Sequence, residues 1–111
     1  MSATNELTEA IIIAVTCSGG RAYRNNVGIA TYNHGGKVSK VRYGVGPVGG
    51  GGADLIGWTS DGRFLSIEIK VGRDKQSEAQ KKWERWVNIG GGRAGVARSV
   101  DDAIAIINMI R

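Results

Sequence analysis

The chain has 111 residues but only one cysteine, one histidine and one proline. A lone Cys17 excludes an intramolecular disulfide. With His34 the sole imidazole, zinc sites built from Cys and His clusters are excluded too. So few thiols fit a reducing compartment. Long apolar runs are also missing. The longest, Ala10 to Val15, is far short of the ~20 residues a helix needs to cross a bilayer, so no membrane segment is expected. Glu6 and Glu9 stand where a secretory leader would be basic, which points to the cytoplasm. Acidic residues number 10 against 15 Lys and Arg, giving a net charge of +5 and a pI of about 9.7. That balance favours a polyanionic partner, either nucleic acid or an acidic membrane surface.

A hydrophobic fraction of 41% is enough for an ordinary core. The length suits one domain over residues 1–111, and no repeat or linker divides it. Leu7, Ala10, Ile11 and Ala14 recur at helical spacing, so a helix is predicted from about Leu7 to Val15. Thr4 or Asn5 would cap it, and Ser18–Gly20 would end it. A short extended piece, Arg21 to Arg24, follows. Val27–Tyr32 and Val38–Tyr43 are β-rich runs around Asn33-His34-Gly35-Gly36, a hairpin signal. Gly44–Gly52 reads as a mobile loop holding the only proline, Pro47.

Ala53–Thr59 and Phe64–Val71 form a second hairpin about Ser60-Asp61-Gly62. Gln76–Asn88 reads as a helix with Ala79, Trp83, Trp86 and Val87 as its apolar stripe. Ala94–Ala97 is a strand. Ser99 caps a last helix with Asp101 and Asp102 in its first turn and Ala103, Ile104, Ile107 and Ile110 on its core face. The order helix, strands, helix, strand, helix predicts an α/β fold. A helix between two strands implies a parallel pair, and the hairpins add antiparallel strands, so a central mixed sheet flanked by helices is expected.

The strand Phe64–Val71 carries the chemistry. Side chains alternate between faces, so Leu65, Ile67, Ile69 and Val71 share an apolar face and Ser66, Glu68 and Lys70 share the other. A tight Asp61-Gly62 turn places Asp54 opposite Glu68. Opposed carboxylates only ~5 Å apart repel. A divalent cation between them resolves the conflict, since Mg²⁺ is held by one or two carboxylates with phosphate oxygens and water. Lys70 alongside supplies positive charge for a phosphate or an attacking hydroxide. Glu68-Ile69-Lys70 taken alone is a common pattern and usually just a solvated ion pair on a strand face; Asp54 in register after the glycine loop is what points beyond it. Gly49–Gly52 lacks the Gly-Lys-Ser/Thr of a phosphate loop and reads instead as a loop bordering the site.

The run Gly52-Ala53-Asp54-Leu55-Ile56-Gly57 followed by Glu68-Ile69-Lys70 resembles the PD-(D/E)XK nuclease signature. More closely, the chain resembles a stand-alone VRR-NUC domain of the phage and bacterial type. The likeness extends over Glu6 in the first helix, Tyr23-Arg24-Asn25-Asn26-Val27-Gly28, Ser77-Glu78-Ala79-Gln80 with Trp83, the Gly90–Gly92 run, Val96-Ala97-Arg98-Ser99 and Asp101-Asp102-Ala103. One departure is Ala53, where a proline usually precedes the aspartate. The resemblance implies a restriction-endonuclease-like core. It implies that Asp54 and Glu68 bind Mg²⁺ or Mn²⁺ with help from the Ile69 carbonyl, and that Lys70 orients or activates water. Glu6 would be an outer carboxylate, with Glu9 as its rival, and Gln80 would stand near the site. It further implies hydrolysis of phosphodiester bonds in branched DNA such as four-way junctions or flaps. The partners would be DNA and a second copy in a homodimer, in a bacterial or phage-infected cell.

Two other readings stay open. One is a DNA-binding module that keeps this fold without activity, against which the intact Asp54, Glu68 and Lys70 argue. The other is a basic scaffold with a solvated charged strand. Arg21, Arg24, Lys37, Lys40 and Arg42 precede the site and are either phosphate contacts or plain surface; Arg73, Lys75, Lys81 and Lys82 beyond it are equally ambiguous. Trp83 and Trp58 are expected in the core, and His34 at an exposed hairpin tip.

Overall fold

The structure is a computed structural model that describes residues 2–47 and 51–109. Ile110, expected on the core face of the last helix, and Gly49 and Gly50 of the glycine loop lie outside the described residues. Helix α1 runs Ala3–Cys17, strand β1 Arg21–Arg24, β2 Gly28–His34, β3 Lys37–Tyr43, β4 Leu55–Trp58 and β5 Phe64–Ile69. Helix α2 (Glu78–Ile89), β6 (Arg93–Ala97) and α3 (Val100–Ile107) complete the chain. Four strands form one mixed sheet in the order β1-β4-β5-β6. The β1–β4 and β4–β5 pairs are antiparallel and β5–β6 is parallel, as a crossover through α2 requires.

One face of this sheet carries the apolar core. Ala22, Leu55, Leu65, Ile67, Ile69 and Ala97 point toward Ile11 and Val15 of α1 and Ala103 and Ile106 of α3. The alternation predicted for β5 holds, with the added feature that its other face is covered by α2, so residues 65–69 are buried throughout. Gly95 in β6 makes room for α3: a Cβ there would stand 2.8 Å from Ile106 Cγ1.

Several details differ from expectation. Ser2, not Thr4 or Asn5, caps α1, its hydroxyl accepting from Asn5 N at 3.2 Å. The buried positions of α1 are Thr8, Ile11 and Val15, a face slightly rotated from the predicted one. In α3 the core positions are Ala103 and Ile106, while Ile104 is 41% exposed. Trp86 is 58% exposed and Trp58 46% exposed; Trp58 meets Tyr23 on the surface, with ring centroids 6.0 Å apart. Of the sheet and helices, α2 packs mainly against β5 and β6, so one narrow face suffices and much of its stripe faces solvent.

The β2–β3 hairpin also departs from expectation. It forms at the predicted place, with Gly35 and Gly36 at φ 58° and 87° in the two-residue turn. It does not join the central sheet but stands as a two-stranded sheet of its own.

Candidate active site

The β4–β5 register pairs Leu55 with Ile67, Ile56 with Ser66, Gly57 with Leu65 and Trp58 with Phe64. Extending it by one residue puts Asp54 across from Glu68. The turn supplies this register: Thr59 N donates to Arg63 O at 2.9 Å, Gly62 N donates to Thr59 O at 2.9 Å, and the Thr59 hydroxyl bonds the Asp61 carboxylate. The strand alternation then turns both carboxyl groups to the α2 side of the sheet.

The two acids differ in surroundings. Asp54 is exposed, just before β4, and its Oδ2 accepts from Ile69 N at 2.7 Å. Glu68 is only 7% exposed. Its Oε1 accepts from Gln80 Nε2 at 2.8 Å and lies 3.7 Å from Lys70 Nζ. Burial pushes the Glu68 carboxyl up from 4.5 to about 8. The charge of Asp54 and a hydrogen bond between the two acids push the same way, and Lys70 opposes them. Near neutral pH Glu68 therefore holds its proton, which relieves the repulsion that a second charge beside Asp54 would bring.

Helix α2 is seated by Trp83. Its Nε1 donates to Ser66 Oγ at 2.8 Å and its ring meets Phe64 edge-on at 6.4 Å. One turn earlier the same helix presents Gln80 to Glu68. Gln80 also belongs to a capping box, in which Ser77 Oγ accepts from Gln80 N and Gln80 Oε1 accepts from Ser77 N. Trp83 is thus half-buried between α2 and β5, beneath the site, not in the main core.

Asn25 supports the other side. Its Nδ2 donates to Val45 O at 2.6 Å and to Ala53 O at 2.9 Å, and its Oδ1 accepts from Val45 N at 3.0 Å. Its backbone N–H donates to Asp54 O at 2.8 Å. One side chain thereby joins both ends of the glycine loop to the residue before Asp54. Gly51, at φ 96°, lies against Ala79 of α2, where a Cβ would come within 2.8 Å of Ala79 Cβ. The loop consequently returns to the sheet along the first turn of α2.

The structure thus brings together Asp54, Glu68, Ile69, Lys70 and Gln80. Ile69 meets Asp54 through its amide N–H. Glu6 lies exposed in the first turn of α1 and does not join them, because among the described residues no three acidic, His or Cys side chains converge on a common point. Glu9 is held by Arg24 at 2.7 Å. Asn25 and Ser77 are positioning residues that residue-by-residue reading missed. The Ser-x-x-Gln pattern at Ser77–Gln80 was the available signal for the second. A separate cleft of about 520 Å³, lined by the Thr59–Arg63 turn, Arg93 and the end of α3, contains none of the predicted site residues.

A mixed four-strand sheet flanked by three helices, with Asp54 just before β4 and Glu68 and Lys70 at the end of β5, is a restriction-endonuclease-like fold. The VRR-NUC domain family matches residues 38–101, more than half of the chain, and the chain belongs to that family. No curated protein and no solved structure matches it. The matched span contains Asp54, Glu68, Lys70 and Gln80 and leaves α1, with Glu6, outside. The chain is accordingly a nuclease-type domain, with DNA as its partner.

Proposed function

We propose that the chain is a Mg²⁺- or Mn²⁺-dependent endodeoxyribonuclease that cuts branched DNA, such as four-way junctions or flaps, as a homodimer. The observation that carries the reading is the Asp54–Glu68 carboxyl pair, set opposite each other by the β4–β5 register, with Lys70 Nζ 3.7 Å from Glu68. The pair suits a divalent cation on its donor chemistry. Ile69 N–H takes Asp54 Oδ2 and Gln80 takes Glu68 Oε1, so Asp54 Oδ1 and Glu68 Oε2 are the oxygens available to a cation in place of the proton. The Ile69 carbonyl is assigned a supporting part, and Glu6, set apart from the cluster on α1, would act only at a distance through water. When bound, the cation would offset charge building on the phosphate and make water a better nucleophile.

The chain's own residues do the rest. Lys70 orients the attacking water and stabilises its negative oxygen as the proton leaves. Water adds across one phosphorus–oxygen bond, and the leaving oxygen takes up a proton. Gln80 keeps Glu68 aimed at the site, and Asn25 keeps Asp54 there. The exposed position of Asp54 leaves the site open to a nucleic acid backbone. Branched DNA with two-fold symmetry suits a C2 dimer of so small a domain.

The test is cleavage of four-way, flap and linear DNA with Mg²⁺, Mn²⁺ or chelator, beside Asp54→Asn and Lys70→Ala. Metal-dependent cutting of branched substrates, lost in both variants, is expected. Binding without cutting by the intact chain would establish the inactive DNA-binding alternative. Cutting retained in both variants would place the chemistry elsewhere.

A further inference from the structure

The β2–β3 hairpin leaves most of its side chains uncovered by the rest of the described fold. Every residue from Thr31 to Val45 is exposed, and the hairpin has no extensive packing against the rest of the fold. Ile29 is 64%, Val38 62% and Tyr43 50% exposed. A two-stranded ribbon alone in water is marginal at best, so its apolar groups call for an occupant. Seven residues per strand make an arm about 23 Å long.

Charge selects the occupant. From Ala10 through Ala53 the chain contains no Asp or Glu, while Arg21, Arg24, Lys37, Lys40 and Arg42 all fall in that stretch. Arg24 is neutralised by Glu9, and Arg42 bonds the Gly46 carbonyl. Lys37 and Lys40 have no carboxylate partner among the described residues. The register puts Lys40 beside Thr31 and Arg42 beside Ile29 on one face of the ribbon, with Lys37 at its tip across from His34. The same ribbon of a second copy, cationic and without a carboxylate, offers no matching charge. A polyanion does. A two-stranded ribbon also fits the DNA major groove, about 12 Å wide.

The base of the arm ties it to the chemistry. Asn25, three residues before β2, bonds Val45, two residues after β3, and also the carbonyl of Ala53 and the backbone of Asp54. An arm lying along DNA therefore fixes where Asp54 meets the backbone. We propose that the β2–β3 ribbon is a DNA-gripping arm, laid in a groove of the duplex that flanks the cut, with Lys37 and Lys40 on phosphates. This inference rests on the nuclease reading above and adds to it the surface that holds the substrate.

The test uses the full chain carrying Asp54→Asn to prevent cutting, a labelled 30-base-pair duplex and a four-way junction, and a salt titration. Lys37→Gln with Lys40→Gln is expected to weaken binding about ten- to a hundredfold near 0.1 M salt. It should reduce the slope of log affinity against log salt by about 2, roughly one for each phosphate no longer neutralised. Lys37→Arg with Lys40→Arg should restore both. With Asp54 intact, the glutamine pair should raise KM and leave kcat at saturating DNA within about twofold. Unchanged affinity and slope in the glutamine pair, with the parent binding normally, would overturn the arm and leave the nuclease reading intact. A parent that neither binds nor cuts would overturn both. A third outcome points to another partner: if Ile29→Ser with Val38→Ser drops the sedimenting mass from dimer to monomer, the arm is a surface between copies of the chain and the proposal fails.

Discussion

Gln80 Nε2 donates to Glu68 Oε1 at 2.8 Å while Gln80 Oε1 accepts from Ser77 N at 2.9 Å. One amide thus both caps α2 and holds the buried acid. Gln80→Ala removes both interactions, so it should lower stability by about 1 kcal/mol and weaken metal affinity about tenfold. Gln80→Glu separates the two roles. Glutamate completes a capping box as well as glutamine does, so urea denaturation should show the cap retained. A third acid beside Asp54 and Glu68 should nevertheless weaken cutting at low metal concentration. Equal activity of Gln80→Glu and the parent across a metal titration would show that Gln80 serves only the helix.

Much of this site is legible in the sequence, because hairpin geometry is local. The Asp61-Gly62 turn sets the β4–β5 register, and with alternation it places Asp54 across from Glu68. Ser99 as the α3 cap and the Gly35-Gly36 turn follow from similarly short-range chemistry. What local pattern does not encode is which elements meet. Alternation in β2 and β3 describes two mixed faces and cannot say that the ribbon leaves the main sheet. Helical spacing groups Trp83 with Trp86 but not how narrow a strip of α2 the sheet covers. The bonds that Asn25 makes are not encoded in any local pattern. Its partners lie 20 and 28 residues away, and only the folded chain brings them to it.

Trp83 and Ser66 provide a test of how α2 is seated. Ser66 is 1% exposed and accepts from Trp83 Nε1 at 2.8 Å. Ser66→Ala would leave the part-buried indole N–H without its acceptor, and Trp83→Phe would strand a buried hydroxyl. Each should cost about 1–3 kcal/mol in urea unfolding. The double variant should cost less than the sum of the two, because no polar group is left unpaired. Additive losses would show that the hydrogen bond contributes nothing beyond packing.

The raised Glu68 carboxyl makes the metal-free fold pH-dependent with a definite sign. Between 4.5 and about 8 the folded chain keeps a proton on Glu68 that the unfolded chain has released. More protons bound when folded means that stability falls as pH rises through this window, with a slope approaching about 1.4 kcal/mol per pH unit from this group. Below 4.5 and above about 8 the contribution should flatten. Glu68→Gln should remove that part of the slope in chelator, measured as the urea midpoint against pH. A divalent cation displaces the same proton, so its apparent affinity should rise toward pH 8 and level off beyond it. A pH-independent affinity would mean that Glu68 is not among the ligands.

Asn25 offers the sharpest separation between positioning and folding. Its side chain makes three hydrogen bonds, to Val45 O, Ala53 O and Val45 N, none of them to the apolar core. Asn25→Asp keeps the shape and the acceptor for Val45 N but turns the Nδ2 donor into an oxygen facing two carbonyls. Repulsion should open the junction between β1, the glycine loop and Asp54. Because Asn25 N still donates to Asp54 O, strand β1 should stay paired and the loss of stability should remain about 1–2 kcal/mol. Cutting should suffer more: a carboxylate displaced by even ~1 Å from productive geometry can lower kcat about a hundredfold. Asn25→Ala, which lacks the repulsion, should fall between Asn25→Asp and the parent in kcat. If both variants lose activity only in proportion to the fraction unfolded, the loop junction does not position Asp54.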